Sequence, residues 1–126
     1  MEMSELMEME QDYNLQDFFP KTIPYHLQPL MEHRIKLLSK EDTVFFGGEI
    51  KLVDTCCVLN RKIKGTKLSM FLIPTENMPL FFESTGYISE NFKGRILLKL
   101  ANYSSNSIKL PSGSSIGYLV LQPHSL

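Results

Sequence analysis

The residues of this chain that could do chemistry are few, and most stand at spacings that work against it. Cys56 and Cys57 are adjacent. Neighbours on a strand point to opposite faces, so these two are not expected to bridge each other. Nor do they form a zinc site alone, because ligand pairs are usually separated by two or more residues. His26, His33 and His124 are scattered, with no cysteine at metal spacing. No metal centre and no cofactor are expected. Glu41 and Asp42 are consecutive and would face apart on a strand, which argues against a catalytic carboxylate pair. Arg61, Lys62, Lys64 and Lys67 form the densest basic cluster. Without interleaved aromatics they read as a solvated hairpin, and no nucleic-acid partner is expected. Ser89, Glu90 and Asn91 read as a polar turn, and Phe92 as a half-buried ring.

The elements that must position these residues are strands. Ile35 and Leu37, Ile50 and Leu52, and Leu68, Met70 and Leu72 alternate with their neighbours; so do Ile96, Leu98 and Leu100, set between Arg95, Leu97 and Lys99. A period of two predicts half-buried antiparallel strands. Gly47-Gly48, Gly65, Asn77, Gly86, Gly94 and Ser112-Gly113 supply turns at short intervals. The expectation is an all-β domain of short strands, a sandwich or barrel.

The chain has 126 residues and a formal net charge of -1, enough for one domain and no argument for an anionic partner. No apolar run approaches the roughly 20 residues that span a bilayer, so no transmembrane segment is expected. The start of the chain is acidic and lacks the apolar stretch of a secretion signal. Glu2, Glu5, Glu8, Glu10, Asp12 and Asp17 precede the first basic residue, Lys21, and Met1, Met3, Met7 and Met9 stand among them. Pro20, Pro24 and Pro29 follow. Residues 1–30 are therefore expected to form an acidic, Met-rich, Pro-punctuated segment, partly disordered. An amphipathic helix that docks on a partner is the other reading. Residues 31–126 form the β domain.

The stretch Ile88-Ser89-Glu90-Asn91-Phe92-Lys93-Gly94, the strand after it, Asn102, and then Ile108, Leu110, Gly113, Ile116, Leu119 and Val120 resemble the dUTPase superfamily. The resemblance spans roughly residues 33–123. It implies a β-clip, a distorted jelly roll of mostly antiparallel strands. It also implies where catalytic groups would stand, and most are missing. Lys36 lies near the position of a metal-holding Asp, although Mg²⁺ takes oxygen donors. Pro74-Thr75-Glu76-Asn77 stands where the family has Pro-Arg-Ser-Gly. Ser89 occupies the place of the Asp that acts as general base, and a serine hydroxyl has no useful basicity near neutral pH. Ser115 and Tyr118 stand where an Arg and a Gln are found, and the glycine-rich C-terminal arm has no counterpart. Phe92 keeps the ring that packs on deoxyribose, with Gly86 and Tyr87 beside it.

The resemblance therefore implies a catalytically degenerate member, similar to the adenovirus early-region-4 first-frame proteins and the dUTPase-related proteins of herpesviruses. Such a chain would be an early or regulatory viral protein that binds a host protein in the host-cell cytoplasm, or in the nucleus. Met78, Leu80, Phe81 and Phe82 make the loop after Pro74 unusually apolar, and they are the expected contact surface with the acidic N-terminal segment. Leu126 offers a PDZ-type carboxyl end, but His124 stands where such ends carry Ser or Thr, which makes a PDZ domain an unfavourable partner. The alternative is an active or residual dUTP diphosphatase, which would need Mg²⁺. A third reading is a non-catalytic protein that still holds a uridine. A homotrimer stays open, although its usual reason, a shared active site, goes with catalysis.

Overall fold

The computed structural model describes residues 10–15, 18, 32–61, 67–83, 87–89 and 92–124. Among the described residues ten strands follow in order: β1 (Gln11–Asn14), β2 (His33–Leu38), β3 (Thr43–Phe45), β4 (Ile50–Arg61), β5 (Lys67–Pro74), β6 (Phe81–Phe82), β7 (Tyr87–Ile88), β8 (Gly94–Ala101), β9 (Ile108–Leu110) and β10 (Ser115–His124). A front sheet has the order β1-β4-β8-β6, a back sheet β2-β10-β5-β7, and β3 pairs with β9. Among the described residues only the β1–β4 pairing is parallel. The expected all-β fold of short, mostly antiparallel strands holds. Among the described residues no helix is long and apolar enough to cross a membrane.

The core lies between the two sheets. Ile96, Leu98 and Leu100 point inward from β8, Met70 from β5, Ile35 and Leu37 from β2, and Leu119 and Leu121 from β10. Each such side chain contributes about 1.5–3 kcal/mol relative to an exposed position. Gly117 is where the back sheet meets this core most tightly. A Cβ there would stand 2.6 Å from the Ile73 carbonyl oxygen and 2.9 Å from the ring of Phe82.

On β4 the alternation has the opposite phase from the one expected. Ile50 and Leu52 face solvent and Val53 is buried. The cause is register. Val53 pairs with Leu98 and Lys51 with Leu100, and cross-strand partners share a face. The inward row of β8 therefore draws Val53 inward and turns Leu52 out. Lys51 stays at the rim, its ammonium 2.7 Å from the Val44 carbonyl and 5.9 Å from the centre of the Phe45 ring.

The β4–β8 register then slips between Asp54 and Val58. Cys56 takes a φ of 62° there. Thr55 Oγ1 donates to the Ile96 carbonyl at 2.7 Å, filling a bond the slipped ladder leaves open. Both cysteines are buried, and both are free thiols, so they do not bridge each other, as expected. Burial pushes the Cys57 thiol up to about 12, and burial and then the Asp54 carboxylate raise Cys56.

Composition sets residues 1–30 apart from the domain, yet Gln11–Asn14 lies within that stretch and pairs with Cys57, Val58, Leu59 and Arg61 of β4. Leu15, just after it, is a fully buried member of the core. Pro20, Pro24, Pro29 and residues 1–9 lie outside the described residues.

One side chain ties the turn between β3 and β4 to the loop after β8. Asn102 is 0% exposed. Its amide nitrogen donates to the carbonyls of Phe45, Phe46 and Asn106 at 3.1, 3.2 and 2.7 Å. Its Oδ1 accepts from the Ser104 N–H and hydroxyl at 3.0 and 2.7 Å. Its backbone accepts from Gly48 N–H and donates to the Glu49 carbonyl, both at 2.9 Å. Gly47 lets the two loops touch, since a Cβ there would lie 2.9 Å from the Ser105 carbonyl oxygen. The Asn102-Tyr103-Ser104 triplet matches a glycosylation acceptor, but its amide is buried and fully bonded, so it is not available to a transferase.

Replacing Asn102 with Ala strips these carbonyls and the Ser104 donors of a fully buried partner. We expect Asn102→Ala to lower stability by roughly 3–5 kcal/mol, read by urea unfolding followed by circular dichroism. A loss below about 1 kcal/mol would show that the loops hold each other without it.

Candidate functional site

The positions picked out by the sequence gather along the back sheet. Tyr118 on the central strand β10 is in register with Lys36 of β2 on one side and Ile73 of β5 on the other. Just past the end of β5, Thr75 Oγ1 lies 2.9 Å from Ser115 Oγ. The Thr75 N–H donates to the Ile116 carbonyl at 3.3 Å, and Met78 N–H to the Thr75 carbonyl at 3.2 Å. The turn closes at Asn77, whose φ is 62°. β7 adds its two residues beside β5, Tyr87 opposite Phe71 and Ile88 opposite Met70. Ser89 is exposed at the end of β7, and its carbonyl accepts from the Phe92 N–H at 2.9 Å. The topology thus brings together Lys36, Thr75, Ser115 and Tyr118, with Ser89 on the far side of β5.

What these groups can do is limited. Thr75 and Ser115 satisfy each other, and hydroxyls do not act as bases near neutral pH. Glu76 is exposed in the same turn. Phe92 is half-buried and packs against the core. Gly86 and Leu126 lie outside the described residues, as do Lys62 and Lys64 of the basic cluster. Among the described residues no three His, Cys, Asp or Glu side chains converge as a metal site would require.

The apolar segment after Pro74 divides. Leu80 is 2% exposed and belongs to the core, not to the surface expected for it. Met78 and Phe82 are partly buried against that core. Phe81 is 57% exposed at the rim of a concavity of about 360 Å³ that runs along Pro74–Asn77.

Phe81 also opens onto a second surface, the outer face of the front sheet. It pairs with Ala101, which pairs with Ile50. In the next rows Leu52 lies opposite Lys99, and Asp54 opposite Leu97. Leu52 is 66% exposed, Leu97 48% and Tyr103 60%. The Tyr103 ring sits 5.3 Å from that of Phe81, and its hydroxyl donates to Glu83. Lys99 is exposed in the middle of this face and makes no ion pair among the described residues. Sequence reasoning missed Ile50 and Leu52 because it gave β4 the wrong phase. The apolar Leu97, placed with Arg95 and Lys99 on the outward row, was the signal available.

At the far end of the same face lies an ion cluster. Arg95 Nη1 reaches both oxygens of Asp54 at 3.1 and 3.2 Å, and its Nη2 donates to Glu10. Lys40 bridges Glu10 Oε2 at 3.0 Å and Asp54 Oδ2 at 4.0 Å. Asp54 Oδ1 also accepts the Cys56 N–H at 3.1 Å, which fixes the bulge. Glu10, directly before β1, is thereby tied by its side chain to Arg95 of β8 and to Lys40. Hydrogen bonds from Lys40 and then Arg95 hold the Glu10 carboxyl below its ordinary value of 4.5.

Solved structures that resemble this chain include dUTPases. A tyrosine-to-alanine mutant of the dUTPase of Staphylococcus bacteriophage 80alpha, solved with dUpNHpp, is 16% identical over 74% of this chain and 73% of its own, with a TM-score of 0.60. The dUTPase of phage phi11 of S. aureus is 14% identical over 74% and 77%, with a TM-score of 0.60. The Streptococcus mutans enzyme is 20% identical over 88% and 89%, with a TM-score of 0.59. At such identities the likeness is one of fold. No protein-family model matches the chain, and no curated protein matches it.

The sign of the Glu10 effect fixes a pH dependence. A carboxyl lowered in the folded state adds stability that is present above its unfolded value and is lost as pH falls through the folded one. Wild type should therefore lose thermal stability more steeply than Glu10→Gln as pH drops below 4.5. The two should differ most at neutral pH and converge in acid, as scanning calorimetry would read. Parallel curves from pH 7 to 3 would exclude the cluster as a contributor.

Proposed function

We propose that this chain is a dUTPase-like domain that acts by binding another protein and not by hydrolysing dUTP. The observation that carries this reading is the outer face of the front sheet, where Ile50, Leu52, Phe81, Leu97 and Tyr103 are exposed together. Contiguous apolar surface of this kind marks an interface. The sequence supports the same reading. Ser89 offers a hydroxyl where the resemblance wants a general base, and Lys36 a cation where it wants a metal-holding anion. In a virus-encoded protein of this kind the partner is a host protein, met in the cytoplasm or nucleus. The chemistry of the face asks for a partner with apolar side chains and at least one carboxylate to meet Lys99.

The alternative, dUTP hydrolysis to dUMP and pyrophosphate with Mg²⁺, is favoured by one observation. A dUTPase of the same fold, that of phage 80alpha, was solved with dUpNHpp. The uridine-holding reading needs Phe92 and the turn at Gly86-Tyr87.

The expected result is no Mg²⁺-dependent release of pyrophosphate from dUTP above a protein-free blank. Calorimetry with dUMP or dUTP should give no heat at millimolar ligand. Affinity capture from host-cell lysate should retain a partner that Leu52→Glu loses. Pyrophosphate release that Phe92→Ala abolishes would sink the binding reading in favour of the enzyme.

A further inference from the structure

Resting on the reading of this chain as a binding module, we propose that the concavity between Glu76 and Phe81 is an anchor pocket for an arginine side chain of the protein partner. Its walls are mostly apolar and its charge is negative. Met78, Leu80 and Phe82 line it, and Phe81 stands at the rim, 57% exposed. Glu76 is the one charged residue among the described residues of that lining. It is exposed and makes no ion pair among the described residues. The Thr75 hydroxyl is already bonded to Ser115 Oγ at 2.9 Å, which leaves the carboxylate as the strong acceptor. A phosphate or carboxylate entering here would meet a like charge. The lining therefore selects a cation carried on an apolar stem.

Of the two side chains of that kind, arginine fits better. Its flat guanidinium stacks on an aromatic face and forks onto a carboxylate, whereas the lysine ammonium is a compact, strongly hydrated point charge. Phe81 supplies the ring and Glu76 the carboxylate, and both border the same concavity. At about 360 Å³ the space lies near the lower end of the roughly 300–1,000 Å³ typical of ligand sites, which suits one long side chain and its backbone.

The pocket is built before anything enters it. Met78 N–H donates to the Thr75 carbonyl at 3.2 Å, and Thr75 N–H to the Ile116 carbonyl at 3.3 Å, which ties the turn carrying Glu76 to β10. The Phe82 ring is held against Gly117, where a Cβ would come within 2.9 Å of it. Fixed walls spare the complex the ordering cost that weakens binding to loose loops. Phe81 also borders the outer face of the front sheet, so one partner can engage both surfaces. It would lay apolar side chains and a carboxylate over Leu52 and Lys99 and seat its arginine past Phe81. Arginine is among the residues enriched as anchors in protein interfaces.

Titration of the isotope-labelled full chain with acetyl-Leu-Arg-Leu-amide, followed by NMR, tests this. Peptides with lysine or citrulline in place of the arginine are run beside it, since citrulline keeps the shape and loses the charge. The expected result is saturable shifts of the Met78 methyl and of the Glu76 and Phe81 amides, tightest for the arginine peptide. The lysine and citrulline peptides should bind about fivefold more weakly, and so should the arginine peptide on Glu76→Gln. Phe81→Ala should weaken the arginine peptide more than the lysine one. Both positions are exposed, and an unchanged spectrum elsewhere verifies that each variant folds. Three results would overturn the proposal: no saturable shift at these residues, a lysine or citrulline peptide as tight as the arginine one, or an unchanged affinity in Glu76→Gln. Loss of this inference leaves the front-sheet face and the Leu52→Glu capture as they stand. Pyrophosphate release from dUTP would remove the proposed function and leave the peptide titration as it is.

Discussion

The amide of Asn102 is the interaction on which the rest of the structure depends. It is fully buried and holds three carbonyls and two Ser104 donors at once. Its own backbone clasps Gly48 and Glu49 at the mouth of β4. Because Asn102 directly follows β8, this clasp fixes the end from which the β4–β8 ladder is counted. A slip of one residue there would exchange every inward and outward side chain on β4. The register in turn puts Val53 in the core and Leu52 in solvent. One buried carboxamide thereby helps to set which apolar residues of β4 enter the core and which stay in solvent.

The sequence made the strands legible wherever one face is cleanly apolar. Ile96, Leu98 and Leu100 are buried as their alternation predicts, and Ile35 and Leu37 likewise. On β4 both phases are apolar, since Ile50 and Leu52 compete with Val53, and periodicity has no means to choose. The choice is made by a partner strand some 45 residues away. The bulge at Cys56 was equally hidden, because it arises from a mismatch between two strands and not from a glycine in either one. β1 escaped notice for another reason. Its four residues are polar, and they are held by the ladder with β4, by the buried Leu15 after them and by the ion cluster that grips Glu10 before them.

The candidate chemical positions were legible as a set, and the back sheet does bring most of them together. Lys36 and Tyr118 are in register, and Thr75 touches Ser115. A scaffold can keep such convergence after its reactive groups change, because strand pairing fixes backbone positions while the side chains at the rim are free to vary. The apolar loop after Pro74 shows the limit of composition. Leu80 and Phe81 are neighbours, yet one fills the core and the other meets water.

The parallel strand β1 sets an order of events during synthesis. Its ladder partner begins at Cys57, and the Arg95 that grips Glu10 lies 85 residues downstream. At roughly 5–20 residues per second, the ribosome takes roughly 4–17 s to deliver Arg95 after Glu10 has been made. Contacts this distant in sequence are the slow ones in a β protein. Throughout that interval Glu10 lacks the Arg95 partner that grips it. Whatever first meets the nascent chain encounters its N-terminal Met and Glu residues before the domain has formed.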